Sequence, residues 1–106
     1  MKKVFISQPM NGKTDDEILK ERCRIIKNLK KELGEMEVID SIIKENPKDN
    51  VNIPLWYLAK SLELLSEADI VYFAKGYDKY RGCIVEHMCA IIYDMKIIME
   101  EAEWIN

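Results

Sequence analysis

Apolar residues come in short runs and in helical stripes that alternate along the chain. Lys3-Val-Phe-Ile-Ser7 is short, β-branched and aromatic, and it stops at Gln8-Pro9, the pattern of a buried strand. Met10-Asn-Gly-Lys13 is a turn signal, and Thr14 with Glu17 three residues on makes a capping box that opens a helix. Ile18, Arg22, Ile25, Ile26, Leu29 and Leu33 recur at helical spacing as one stripe, and Gly34 stands where a left-handed C-terminal cap is needed. Glu37-Val-Ile-Asp40 predicts a short second strand. The segment from Ser41 to Ile53, with Asn46-Pro47-Lys48-Asp49-Asn50 inside it, reads as a long loop with room for one helical turn. A loop of that length in a compact domain is often functional. Pro54 suits the first turn of a second helix, whose stripe Leu55, Leu58, Leu62 and Leu65 continues to Ala68. Asp69-Ile-Val-Tyr-Phe-Ala74 is the clearest strand. Lys75 to Arg81 is a polar loop, Cys83 to Tyr93 a third helix and Lys96-Ile-Ile-Met99 the last strand, with the residues from Glu100 to Asn106 docking through Trp104.

Strands alternating with helices predict a parallel sheet with right-handed crossovers and helices on both faces. The expected fold is a flavodoxin-like three-layer α/β/α arrangement with four strands in the order 2-1-3-4, the C-terminal residues being available for a fifth. In such folds ligands bind beyond the carboxyl ends of the strands, near the switch in strand order. That rule brings three segments to one mouth: Ser7 to Lys13, Asp40 to Ile53, and Lys75 to Glu86.

A chain of 106 residues has material for one domain, expected over residues 1–106, and not for two independent cores. Lys and Arg crowd the region from Lys20 to Lys31, but they alternate with Glu21 and Glu32, so the pattern is a solvated helix face and not a nucleic-acid patch. The apolar stretch after Met1-Lys-Lys3 is too short for a signal peptide, and no run approaches membrane-spanning length. Three cysteines, Cys23, Cys83 and Cys89, without an export signal predict free thiols in a reducing cytoplasm.

Glu86 follows the clearest strand and a loop containing two glycines. In the first turn of a helix it would be favoured by the helix dipole and would face the ligand edge of the sheet. Its neighbours Ile84, Val85 and Met88 are apolar, and a positioned, partly desolvated carboxylate suits a nucleophile or general base. The plainer reading is an acid placed there for dipole reasons alone. Gly82 would let a ligand approach the backbone, and Arg81 would supply a cation for a phosphate or carboxylate. Ser7-Gln-Pro-Met-Asn-Gly-Lys13 has the position of a phosphate or sugar loop but matches no Walker or GxGxxG pattern. Asp15 and Asp16 argue against a strongly anionic ligand at that helix start. Cys83 and His87 share a helix face but Cys89 does not, so no metal site and no cofactor is expected. One His beside one Glu on a helix does not make a Ser/His/Asp triad either.

Three stretches together resemble one superfamily: Val4-Phe-Ile-Ser-Gln-Pro-Met-Asn-Gly12, Ala68-Asp-Ile-Val-Tyr-Phe73, and Gly76-Tyr-Asp-Lys-Tyr-Arg-Gly-Cys-Ile-Val-Glu-His-Met-Cys-Ala90. They are similar to the nucleoside 2-deoxyribosyltransferases, to the small phage and bacterial proteins grouped with them, and to the related deoxynucleoside 5′-monophosphate N-glycosidases. The resemblance runs from Lys3 to Ile98. It implies N-glycosidic chemistry, in which the Glu matching Glu86 attacks C1′ of a deoxyribose and expels the base, and the glycosyl group then passes to another base or to water. It also implies that Ser7, Gln8, Met10, Asn11 and Gly12 lie by the sugar or 5′-phosphate, that Gly82, next to Arg81, matches a glycine of the substrate loop, and that the partner is a nucleoside or nucleotide.

The chain departs from that pattern at three positions. Tyr80 stands where the active enzymes carry Asp or Ser, Ser61 where they carry another Asp, and Phe5 where the transferases carry Tyr. Tyr80 is therefore the candidate helper of Glu86, although a phenol is a poor acid at neutral pH. Two functions compete: a nucleoside or nucleotide N-glycosidic-bond enzyme using Glu86, and a nucleotide-binding module of the same fold with weak or no catalysis. An interaction protein built around Trp56, Tyr57 and Trp104 is a third reading. A receiver domain is set aside because Phe73-Ala74 ends the strand that would carry its acceptor Asp. The apolar stripes of the second and third helices, including Trp56, Met88 and Ile92, exceed what one thin sheet covers, which predicts a homodimer.

Overall fold

A computed structural model describes residues 1–100 of the chain. The elements are β1 (Lys2–Ser7), α1 (Asp15–Leu33), β2 (Met36–Val38), α2 (Ile53–Leu65), β3 (Ile70–Phe73), α3 (Arg81–Ile92) and β4 (Lys96–Met99), with one 3-10 turn at Tyr77–Lys79 before α3. The four strands form one parallel sheet in the order β2-β1-β3-β4. Val4 lies opposite Val38 on one side and Ile70 on the other, and Ile70 lies opposite Lys96.

Alternation along β1 and β3 builds both cores. Val4, Ile6, Ile70 and Tyr72 pack on Ile25 and Leu29 of α1, while Phe5, Val71 and Phe73 pack on Leu65 of α2 and Ala90 of α3. α1 thus covers one face, and α2 and α3 cover the other. Apolar side chains of this size each contribute roughly 1.5–3 kcal/mol on full burial, which makes these two layers the main source of stability. Asp69 ties β3 to β1 at their amino ends: the Lys3 amide donates to Asp69 Oδ2 at 2.8 Å, and the Asp69 amide donates to the Lys3 carbonyl at 2.8 Å.

The helix starts follow their capping residues. Thr14 and Glu17 form the reciprocal capping box of α1, with bonds of 3.2 and 3.0 Å. Asn52 caps α2 by accepting from the Leu55 amide at 3.1 Å, which admits Ile53 ahead of Pro54. Gly34 ends α1 at φ 75° as expected of a glycine, but its ψ of −141° lies outside the left-handed helical basin. Its amide still donates to the Lys30 carbonyl at 3.0 Å.

Several boundaries differ from the pattern reading. β2 ends at Val38 because Asp40 turns the chain, its Oδ1 accepting from the Ile42 amide at 3.1 Å. Residues 40–52 form an irregular loop with no helical turn. α2 stops at Leu65, short of Ala68. α3 begins at Arg81 instead of Cys83, so Glu86 is its sixth residue and stands beyond the first turn. The dipole argument for Glu86 therefore loses its force, since that effect fades within the first turn. The segment from Lys75 to Arg81 also contains the 3-10 turn, which the polar pattern did not suggest. Expectations for Trp104 and for a fifth strand lie outside the described residues.

Candidate functional site

Strand order reverses around β1, whose neighbours β2 and β3 connect in opposite directions, and a cleft of about 940 Å³ opens there at the carboxyl ends of the strands. Its floor is the end of β1. One wall is the loop after β2 with the start of α2, and the other is the approach to α3.

Pleating sends Ser7 to the same face as Phe5, under α2 and α3. Its Oγ donates to Glu86 Oε1 at 2.8 Å. Ser61, on the third turn of α2, donates its hydroxyl to Glu86 Oε2 at 2.6 Å. Both carboxylate oxygens are thus held by hydroxyls from two different elements. Glu86 itself is only 6% exposed and Ser7 only 1%. Burial pushes the Glu86 carboxyl above the ordinary glutamate range, and the Ser61 and Ser7 hydrogen bonds pull it part of the way back.

Gln8 points to the opposite face, where its Nε2 donates to the Ile18 carbonyl of α1 at 2.7 Å. Met10 and Asn11 continue along the rim. Gly12 is not part of the cleft wall. Its φ of 82° serves the turn in which the Lys13 amide donates to the Met10 carbonyl at 3.1 Å. Tyr80, Arg81 and Gly82 all border the cleft, with Arg81 exposed and Tyr80 giving α3 no side-chain cap. Of the ten candidate positions counted with Ser61, Gly12 alone stands off the cleft.

Ser61, which the resemblance sets where related enzymes carry Asp, is a direct partner of Glu86, a bond that the residue pattern alone does not indicate. No local spacing marks that bond, because its partner lies 25 residues away on another helix. Pro54, Tyr57 and Leu58 also face the cleft from the first turns of α2, outside the expected segments, while Ile42 and Ile43 come from the Asp40 to Ile53 loop expected at the mouth. Cys83, 5% exposed, also borders the cleft, and burial pushes its thiol up to about 11. His87 turns away from Glu86 and lies between two rings, 4.9 Å from the Phe73 centroid and 4.9 Å from that of Tyr77. Among the described residues, no three His, Cys, Asp or Glu side chains converge to hold a metal ion.

The arrangement offers a desolvated, rigidly oriented carboxylate at the base of a cleft whose walls are apolar on the α2 side and cationic at Lys79 and Arg81. A carboxylate so placed can attack an electrophilic carbon or accept a proton.

The fold is shared with a known enzyme. The structure superposes on that of the 2-deoxyribosyltransferase from the psychrotolerant bacterium Bacillus psychrosaccharolyticus with a TM-score of 0.63 and 20% sequence identity, over 98% of this chain and 77% of that one. The parallel α/β fold of order 2-1-3-4 is therefore the flavodoxin-like fold of that protein. Neither a protein-family model nor a curated protein matches the sequence.

The burial of Glu86 has a consequence for stability. Its carboxyl titrates higher in the folded protein than in the unfolded chain, where the ordinary value is ~4.3. Between those two pH values the folded state keeps a proton that the unfolded state has released, so stability falls as pH rises through the window. Glu86→Gln removes the buried charge while keeping groups that can pair with both serines. Its melting temperature should exceed that of the parent at pH 7, and the gap should close as the pH falls toward ~4. A gap that is constant with pH, or of opposite sign at pH 7, would contradict the burial of an ionised Glu86.

Proposed function

We propose that the protein cleaves or transfers the N-glycosidic bond of a nucleoside or nucleotide, with Glu86 as the nucleophile. The observation that carries this reading is the buried Glu86 carboxylate, gripped at both oxygens by Ser7 and Ser61 on the floor of the cleft. The fold shared with a 2-deoxyribosyltransferase supports it, as does the resemblance of the Gly76–Ala90 stretch.

In this reading a Glu86 oxygen bonds to C1′ of the sugar while the base departs, and the glycosyl ester passes to a second base or to water. The serines orient the carboxylate by holding both of its oxygens. Ser7, Gln8, Met10 and Asn11 lie along the sugar, and Arg81 supplies charge to an acidic group of the ligand, with Gly12 shaping the turn behind them. Tyr57, Leu58 and Pro54 give the base an apolar wall. Tyr80 contributes a hydroxyl at the rim. No cofactor takes part. Binding without turnover is the second reading, favoured by Ser61 standing where related enzymes carry Asp and Tyr80 where they carry Asp or Ser.

We also place the protein in the cytoplasm as a homodimer. Its three cysteines are free, and no helix among the described residues is long and apolar enough to cross a membrane. Ile84, Met88, Ile91 and Ile92 share one face of α3 and are each at least 38% exposed, an apolar patch of the kind that marks association sites. Trp56 lies half-buried on α2, its ring 5.5 Å from the Lys60 ammonium.

Three outcomes follow. Glu86→Gln should abolish base release from a panel of deoxynucleosides and their monophosphates while leaving affinity nearly unchanged; release at the parental rate would refute the nucleophile. Gly82→Ala separates folding from binding. Gly82 has no positive φ, and nothing lies within 4 Å of an added Cβ, so the fold itself does not demand a glycine there. The variant should gain about 0.4–1 kcal/mol of stability yet bind deoxynucleosides more weakly, and unchanged affinity would remove Gly82 from the site. Light scattering at high concentration should give a dimer that Met88→Glu dissociates, whereas a monomeric parent would defeat the assembly proposed.

A further inference from the structure

Resting on the assignment of Glu86 as nucleophile, we propose that the cleft acts on N-glycosides whose base departs without a proton supplied by the described residues that line it. These are glycosides of cationic, N-alkylated bases, which leave as neutral molecules, and of acidic bases, which leave as stabilised anions. The inference comes from where the protons of the cleft are held.

Ser7 and Ser61 each direct the hydroxyl hydrogen at Glu86, at 2.8 and 2.6 Å, and neither has one left for a leaving group. The Gln8 amide is tied to the Ile18 carbonyl. Cys83 is buried and keeps its thiol proton far above neutral pH. The other proton-bearing side chains on the wall are amide, alcohol, phenol, ammonium and guanidinium groups, from Asn11, Ser41, Tyr57, Tyr80, Lys79 and Arg81. Groups of these chemical classes hold their protons too firmly to be good general acids for a departing base. Among the described residues that line the cleft, Glu86 is the one carboxyl group, and none is a histidine.

Two carboxylates at the strand ends, Asp40 and Glu100, have other partners. Asp40 Oδ1 accepts from the Ile42 amide, and its Oδ2 lies 4.0 Å from Lys44 Nζ. Glu100 accepts from the Tyr72 hydroxyl at 3.2 Å, the Lys75 amide at 3.2 Å and Arg24 at 3.3 Å. Neither borders the cleft.

The chemistry balances without an enzyme acid. A Glu86 oxygen forms a bond to C1′ as the C1′–N bond breaks, and the electron pair of that bond stays on the base nitrogen. A cationic base leaves neutral, and an acidic base leaves as its anion and takes a proton from water. Water then attacks C1′ of the glycosyl ester, the ester electron pair returns to Glu86, and one proton passes to solvent.

The test compares base release from 7-methyl-2′-deoxyguanosine with 2′-deoxyguanosine, and from 5-fluoro-2′-deoxyuridine with 2′-deoxyuridine. Each is offered with and without a 5′-phosphate to the parent protein and to Glu86→Gln, with the spontaneous rate subtracted. General acids are worth ~10²–10⁴-fold, so the activated member of each pair should react at least ~10²-fold faster with the parent protein. Comparable rates within each pair, with Glu86→Gln inactive, would overturn this proposal and leave the nucleophile standing. Base release by Glu86→Gln at the parental rate would instead overturn the nucleophile assignment on which it rests. Failure of the parent to release base from either activated compound would overturn the proposal as well.

Discussion

A carboxylate with almost no access to water must have its charge answered by nearby donors, and Glu86 is answered by two hydroxyls that belong to separate parts of the fold. Ser7 comes from the last residue of β1, Ser61 from the middle of α2, and Glu86 from the second turn of α3. Forming this one polar knot requires β1 to sit centrally, α2 and α3 to share a face of the sheet, and α2 to run past the carboxyl end of β1. Breaking either hydroxyl contact leaves part of a buried charge unanswered, which costs about 1–3 kcal/mol or more. The knot is thus a constraint on the fold as much as a piece of chemistry.

The same placement explains the division of the cleft. The floor must be polar because the two serines and the carboxylate meet there. The α2 wall is free to be apolar, and Pro54, Tyr57 and Leu58 make it so one or two turns before Ser61. On the other side the chain enters α3 through Tyr80, Arg81 and Gly82, where polar groups and a bare backbone border the opening. A ligand with a flat apolar part, a polar ring and an acidic end matches those three surfaces in turn. That match is the physical basis for the proposed reading of the site as one for nucleosides or nucleotides.

Much of the fold was legible in the residues because its signals are local. The β-branched runs at Val4–Ile6 and Ile70–Phe73, the Thr14–Glu17 box and the Pro54 start each specify an element by themselves, and alternation of strand and helix then specifies a parallel sheet. The rule that ligands sit beyond the carboxyl strand ends places Ser7, Gln8, Met10, Asn11, Gly12, Gly82 and Glu86 around one opening, and all of these but Gly12 border it. The boundaries that moved were set by contacts without a sequence period. Asp40 ended β2 by turning on its own backbone, and the extra turn at Tyr77–Lys79 brought the start of α3 forward to Arg81. Ser61 was illegible for a different reason. Its role depends on a partner 25 residues away on another helix, and a serine on an exposed-looking helix carries no local mark of such a bond.

The central claim is that Glu86 forms a covalent bond to the sugar, and the most direct measurement is to look for that bond. The protein would be mixed with 7-methyl-2′-deoxyguanosine, quenched with acid at early times, digested, and its peptides weighed by mass spectrometry. The account predicts one added deoxyribosyl group on the peptide containing Glu86, present in the parent and missing in Glu86→Gln. Base release with no adduct on that peptide at any time, or with the adduct on another residue, would contradict it.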